Sequence, residues 1–449
     1  MNDKSIGSSS RGEGQYPPSL LGERRLLLEL CDGSRDPSAS GIAIRHQQDC
    51  WYNLLHLAQK NRVGALVWRR LREVGSAVDV PDETMAALKS TYQQNLMRCT
   101  RVLAELGTIL APFQKAGIPV LILRGPALGQ VVYGDPALRP FTDLDLLVRR
   151  EDVPAGRNCL ESVNCALASS RLCPDYFEKY HLHLTYSHRP SGIAVELHWA
   201  LDHMYTPFAI SYEDILRRRR SVAIGDVQAD VPCPEDDLLC NIVHLAKHAY
   251  FLPFLSDDPR LEERILDSGD LLLFCDILRE VRHHGVSLDW DQILERSRAW
   301  AIEREVSASL RAVNRLFGAA IPDDELGRLS APRVSSLEAL AFRWLSPRDE
   351  DQAAGQSTVR RRLAAQDPRA VFRPIRILDL CRYIFPGAPF LLHRYRCRSA
   401  GGLAWRRLTH PPGAVLQLLI NGIEWFRCSR RQARPADPAR PNCSSWSRR

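Results

Sequence analysis

The chain carries Leu121-Ile122-Leu123-Arg124-Gly125 and, further on, Arg139-Pro140-Phe141-Thr142-Asp143-Leu144-Asp145-Leu146-Leu147-Val148. Both segments are short apolar runs of strand length, and the second holds two carboxylates two positions apart. Alternate residues of a β-strand point to one face. Asp143 and Asp145 should therefore project together, with Leu144, Leu146 and Val148 turned into a core. Two carboxylates so placed repel each other unless a cation neutralises them, and a divalent metal ion is the usual reason to build such a pair. The alternative is a solvated strand end.

The surroundings fit an α/β region. A long helical pattern, with Leu96, Val102, Leu103, Leu106 and Leu110 at helix spacing, runs into Gly117-Ile118-Pro119 and a strand over 120–123. A helix should start near Asp152-Val153-Pro154. Strands over 181–187 and 193–199 flank Arg189-Pro190-Ser191-Gly192, a hairpin turn. In the second strand Val195, Leu197 and Trp199 face one way, and Glu196 and His198 the other. Upstream, Trp51, Leu54, Leu55, Leu57 and Ala58 mark another helix. Downstream, helices are expected over 236–250, 261–283, 291–316 and 335–345, and an amphipathic one over 414–426.

This set of motifs resembles a family. Gly117-Ile118-Pro119, Arg124-Gly125, Tyr133, the Arg139–Val148 block and Val195-Glu196-Leu197-His198-Trp199 look like the uncharacterised nucleotidyltransferases of bacteria, within the polymerase-beta-like superfamily. The likeness runs from about Leu26 to about Leu278. It implies an α/β (α+β) core with a mixed β-sheet over 116–225. Helical regions would flank it over 20–115 and 226–393, after a disordered 1–19 and before an Arg/Pro-rich tail over 394–449. It also implies transfer of a nucleoside monophosphate from an NTP, ATP among them, to an acceptor such as a small molecule, peptide or tRNA. Two Mg²⁺ ions would serve, held by Asp143, Asp145 and Glu196. The family usually has Lys where Arg124 stands. Many wider relatives have Gly-Ser or Gly-Gly where this chain has Gly125-Pro126, so no serine hydroxyl stands there for a phosphate.

Each residue keeps a second reading. Glu196 is a third metal ligand or general base, or an exposed edge-strand carboxylate. As a ligand it should lie within about 8 Å of the aspartates, since paired metal ions sit roughly 4 Å apart. Gly125 brings N–H groups to a phosphate or is a plain strand-to-helix turn. Arg124 and Arg139 grip phosphates, as a guanidinium fork suits, or pair with nearby aspartates. Cys240, His244 and His248 share a helix face, but no fourth zinc ligand has recognisable spacing. The two histidines therefore read as cleft-lining or packing groups, as does His198, and Asp276 as a cap or partner for one of them.

Composition bounds the rest. The chain has 449 residues, 45% hydrophobic and 25% charged, as in ordinary globular proteins. A net charge of +7 permits acidic partners without requiring them. Arg217–Arg220, Arg360–Arg362 and the tail carry much of the excess. The tail reads as a solvated end, although Trp405, Trp425 and Trp446 among arginines would allow nucleic-acid affinity. Thirteen cysteines without a Cys-x-x-Cys motif, no long apolar run and a polar start suggest a reducing cytoplasm. A non-catalytic nucleotide-binding scaffold and an Arg-tail nucleic-acid module are the alternatives to an enzyme.

Overall fold

The structure, a computed structural model, describes residues 22–34, 48–75, 78–168, 182–202, 208–249, 252–255, 258–318, 320–329, 384–385 and 399–432. The expected disordered start, the helix over 335–345, Arg360–Arg362 and the end of the tail lie outside the described residues.

Three short helices, α1 (Gly22–Asp32), α2 (Gln48–Lys60) and α3 (Gly64–Val74), precede α4 (Asp82–Lys115). At 34 residues, α4 is about 50 Å long. It ends where the sequence says it must. Gly117 takes the left-handed conformation at φ +66°. The Ile118 N–H reaches back to the Phe113 carbonyl and that of Gly117 to Gln114. These paired bonds satisfy the last carbonyls, and buried Ile118 and Phe113 join the same core cluster. The chain then turns directly into β1 (Leu121–Leu123).

Among the described residues, seven strands form one mixed sheet in the order β3-β4-β5-β2-β1-β7-β6. They are β1, β2 (Asp143–Leu147), β3 (Cys165–Leu167), β4 (His183–His188), β5 (Ile193–His198), β6 (Arg220–Ile224) and β7 (Val227–Val231). β2 runs parallel to β5 and β1 parallel to β7; the other neighbours are antiparallel. The connecting helices are α5 (Gly125–Val131), α6 (Val153–Ser162) and α7 (Tyr212–Arg217). The sheet continues past residue 225, because β6 and β7 close on the two-residue turn Gly225-Asp226, with Gly225 at φ +58°.

The helical layer comprises α8 (Pro234–His248), α9 (Leu252–Leu255), α10 (Leu261–Ser268), α11 (Leu271–His284), α12 (Trp290–Ala299), α13 (Glu303–Phe317) and α14 (Asp323–Arg328). Two helices expected as continuous are broken. Gly269, left-handed at φ +82°, separates α10 from α11. Ala301, at φ +57°, separates α12 from α13, with Ile302 N–H bonded to the Ser297 carbonyl as in the cap of α4. A last helix, α15 (Ala400–Gln432), contains the expected 414–426 segment.

Two apolar clusters result. Leu144, Leu146, Val195 and Leu197 pack on one side of the sheet with α4 and α6. The other side, with Leu121, Leu123 and Leu147, meets α1–α3, α8 and α11. Asp143, Asp145, Glu196 and His198 point to that second side, so the site lies between the sheet and the helical layer.

Candidate active site

Register brings the carboxylates together. Asp145 lies directly beside Glu196 across the β2–β5 ladder, and Asp143 beside Ala194. Carboxylate oxygens of Asp143, Asp145 and Glu196 all lie within 4.8 Å of one another, well inside the distance required of a shared metal site. β5 is interior, between β4 and β2, so Glu196 is not an edge-strand residue. The aspartates are not a solvated end either: Asp145 is 7% exposed and Asp143 is mostly covered.

Arg124 closes β1 and caps α5 with a left-handed backbone, φ +51° and ψ −130°. Such a conformation costs a non-glycine residue on the order of 1–3 kcal/mol and persists where surrounding contacts fix it. Here the contact is a buried ion pair. Arg124 Nε and Nη2 donate to Asp145 Oδ2 at 3.1 and 2.6 Å. Gly125 follows at φ +33° as the first residue of α5.

The other oxygen of Asp145 faces histidine. His198 Nε2 lies 3.0 Å from Asp145 Oδ1 and 3.2 Å from Glu196 Oε2. His183, the cross-strand partner of His198 on β4, puts Nδ1 at 3.6 Å from Glu196 Oε2. Thr185, the cross-strand partner of Glu196, donates to Glu196 Oε1 at 3.5 Å.

Charge follows from this packing. Burial and the neighbouring Asp145 and Glu196 push the Asp143 carboxyl up to about 6. Burial would also raise Asp145, but Arg124 and the bond from His198 outweigh it and hold that carboxyl well below the usual range. For His198 burial works against protonation, and the bonds to Asp145 and Glu196 reverse it, so its pKa is raised.

Arg139 pairs with an aspartate remote in sequence, and Asp276 has other partners than the histidines expected for it. Asp276, on α11, pairs with no histidine among the described residues. It accepts from Arg139 Nη2 at 2.9 Å and Nε at 3.2 Å, and from the Tyr133 hydroxyl at 2.7 Å. This buried triad ties the segment before β2 to the helical layer. Arg139 still lines the cleft from that fixed position.

The cleft over the carboxylates has a volume of about 880 Å³. The sheet supplies its floor, α2 and α4 contribute Gln59, Gln94 and Asn95, and α8 contributes His244, Lys247 and His248. Burial lowers the Lys247 pKa, drops His244 well below its ordinary value and takes His248 down to about 4. The two imidazoles lie 4.7 Å apart with their planes tilted by 43°. Cys240, one turn earlier, is sealed in the core, where burial raises its thiol pKa. Sequence reading missed His183 and Lys247. His183 was recoverable: the turn at Arg189–Gly192 pairs His188 with Ile193, which places His183 opposite His198.

A mixed sheet carrying three converging acids over an open cleft is an arrangement suited to metal-assisted group transfer. The chain belongs to the family of uncharacterised nucleotidyltransferases, whose profile matches residues 47–318. The match begins later than Leu26 and runs on through α13. No curated protein and no solved structure matches the chain. No helix among the described residues is long and apolar enough to cross a membrane.

Proposed function

We propose that the chain is an enzyme that moves a nucleoside monophosphate from a nucleoside triphosphate to a hydroxyl or phosphate on an acceptor. The observation that carries this is the meeting of Asp143, Asp145 and Glu196 within 4.8 Å at the base of the cleft, in a member of this family. Their donor chemistry fits a hard divalent cation such as Mg²⁺, with the two-ion arrangement of the polymerase-beta-like superfamily. Burial first, and then the charges of Asp145 and Glu196, raise the Asp143 pKa, and such a cation would relieve the second of these. Bound metal would neutralise the triphosphate and lower the pKa of the attacking hydroxyl.

The chain's own groups do the rest. Arg124 leaves Asp145 for the triphosphate, offering its planar fork to phosphate oxygens. The turn at Gly125 lets the backbone approach the same phosphates. Arg139, fixed by Asp276, presents positive charge to the cleft without moving. Glu196, between the strands, takes the proton of the acceptor hydroxyl or completes the ligand set. The cleft wall of α2, α4 and α8 receives the acceptor. The basic tail adds affinity for nucleic acid where the acceptor is one, and the reaction belongs to the cytoplasm.

Incubation with labelled ATP, CTP, GTP and UTP, Mg²⁺ and cell extract tests the proposal. Label should enter an acceptor with the wild-type chain and fall on the order of a thousandfold in Asp143→Asn or Asp145→Asn. Equal labelling by the double variant would overturn it.

A second reading, a nucleotide-binding scaffold without catalysis, draws on one observation. Arg124 is bonded to Asp145, one of the three carboxylates that a metal would use. NTP binding without any transfer would favour it.

A further inference from the structure

His198 is 2% exposed, and both of its ring nitrogens face oxygen atoms. Nδ1 lies 3.4 Å from the Ala200 carbonyl oxygen, which can only accept. Nε2 lies 3.0 Å from one carboxylate oxygen and 3.2 Å from another, which accept as well when ionised. A neutral imidazole has one N–H. With that hydrogen on Nδ1, the Nε2 lone pair points into two anionic oxygens. Such a geometry needs a positive centre at Nε2, either a proton or a metal ion.

The neighbours select between these. The His183 ring lies against that of His198, centroids 4.7 Å apart and planes tilted by 51°, and its Nδ1 lies 3.6 Å from Glu196 Oε2. One atom of each of His183, Glu196 and His198 lies within 4.8 Å of the others. A four-coordinate ion with bonds of 2.0–2.1 Å spaces its donors by about 3.4 Å. The measured 3.2 and 3.6 Å bracket that value. The supporting bonds also match a metal site. A ligating histidine characteristically gives its other N–H to a backbone carbonyl, and the Ala200 carbonyl oxygen lies 3.4 Å from His198 Nδ1, where it would accept that hydrogen. The second oxygen of Glu196 is held by Thr185, leaving Oε2 to the cluster.

We propose that His183, His198 and Glu196 form a binding site for a borderline divalent transition-metal ion, of the Mn²⁺, Fe²⁺, Co²⁺ or Zn²⁺ class, beside the Asp143–Asp145 pair. Two imidazoles and one carboxylate are a donor set that favours these ions over Mg²⁺, which prefers oxygen alone. Binding displaces the hydrogen at His198 Nε2 to solvent and leaves Nδ1–H on Ala200. Glu196 is the shared corner of this site and the carboxylate site. The proposal concerns metal binding and stands whether or not the chain transfers nucleotides.

The test is titration of the chelator-treated full-length chain with Co²⁺, followed by visible absorption and calorimetry. One Co²⁺ per chain should bind with the intense bands of a low-coordinate, imidazole-containing site, and a large excess of Mg²⁺ should not displace it. His183→Ala should weaken binding at least tenfold and remove the intensity, because loss of even a supporting group costs about 10–100-fold. His183→Asn, closer in shape, should do the same with an unchanged melting curve. Asp143→Asn should keep the spectrum. Unaltered Co²⁺ binding in both His183 variants, or displacement by Mg²⁺ at equal concentration, would overturn the site. Transfer of label with Mg²⁺ alone would then still support the transferase reading. A histidine-dependent Co²⁺ spectrum without transfer would refute that reading and leave the metal site standing.

Discussion

Arg124 donates two hydrogen bonds to a single oxygen of Asp145, and both side chains are more than nine-tenths buried. The arginine thus competes with any cation for one carboxylate, while its left-handed backbone keeps it at the mouth of α5. Removing the competitor should have opposite effects on two ligands. Arg124→Gln should bind divalent metal more tightly in the absence of nucleotide and bind NTP–Mg²⁺ more weakly. Calorimetry with metal alone and with a non-hydrolysable NTP separates the two. An Arg124→Gln chain with unchanged NTP affinity would show that the arginine is only a structural partner of Asp145.

The two aspartates of the motif should differ sharply in stability. Asp143 has a pKa raised to about 6, so the folded chain holds that proton more tightly than the unfolded one. Its stabilising contribution is full below about pH 4 and is lost as pH rises through about 6. Asp143→Asn cannot ionise and escapes that loss. The metal-free variant should exceed wild type at pH 8 by at most roughly 2–3 kcal/mol, and match it near pH 4. Asp145 has the opposite sign: its lowered pKa contributes stability above about pH 4 that disappears only in stronger acid. Asp145→Asn removes the carboxylate bonded to buried Arg124 and should cost about 3–5 kcal/mol at neutral pH. Denaturant melts of the metal-free proteins at both pH values check the contrast. Equal shifts in the two variants would contradict it.

In the sequence the two aspartates look alike. The alternation of polar and apolar residues put both on one face correctly, because period two is a local property. It also put Glu196 and His198 on the matching face of β5. What distinguishes Asp143 from Asp145 is non-local: Arg124 and His198 arrive from other strands. The same holds for Asp276, whose partner lies 137 positions away. Helix ends were partly legible. Gly117 announces a left-handed cap; Gly269 ends a helix inside the span expected as one helix over 261–283, and Ala301 carries no such signal. The β6–β7 hairpin was not expected although Gly225-Asp226 is a two-residue turn type; each of its strands is only five residues long.

Arg139 and Asp276 should behave as a joint between the sheet and the helical layer. Both are buried, with the Tyr133 hydroxyl as third member. Asp276→Ala leaves a buried guanidinium and a phenol unpaired and should destabilise by about 3–5 kcal/mol. Arg139→Lys loses the two-pronged geometry, so it should recover only part of the stability that Arg139→Met loses. Chemical denaturation with a double-mutant cycle measures the coupling. Additive effects of Arg139 and Asp276 substitutions would mean that the pair is not a joint.

Glu196 gives the sharpest test of the proposed chemistry. Its carboxylate lies on the strand beside β2, in direct register with Asp145, and its two oxygens have separate surroundings. Oε1 meets Thr185, whereas Oε2 faces His198 and His183. Glu196→Gln keeps the size and the Thr185 contact but removes the charge and the capacity to take a proton. Under the proposed function, Asp143 and Asp145 still bind NTP–Mg²⁺ in this variant, so KM changes little. Proton removal from the acceptor is impaired, so kcat falls, by about 10²–10⁴-fold for a positioned general base. The loss should shrink as pH rises, because the acceptor hydroxyl then needs less help. A pure ligand role predicts instead a raised metal requirement, reversed by excess Mg²⁺. Full kcat in Glu196→Gln at every pH and metal concentration would remove Glu196 from the mechanism and leave the two aspartates to carry it.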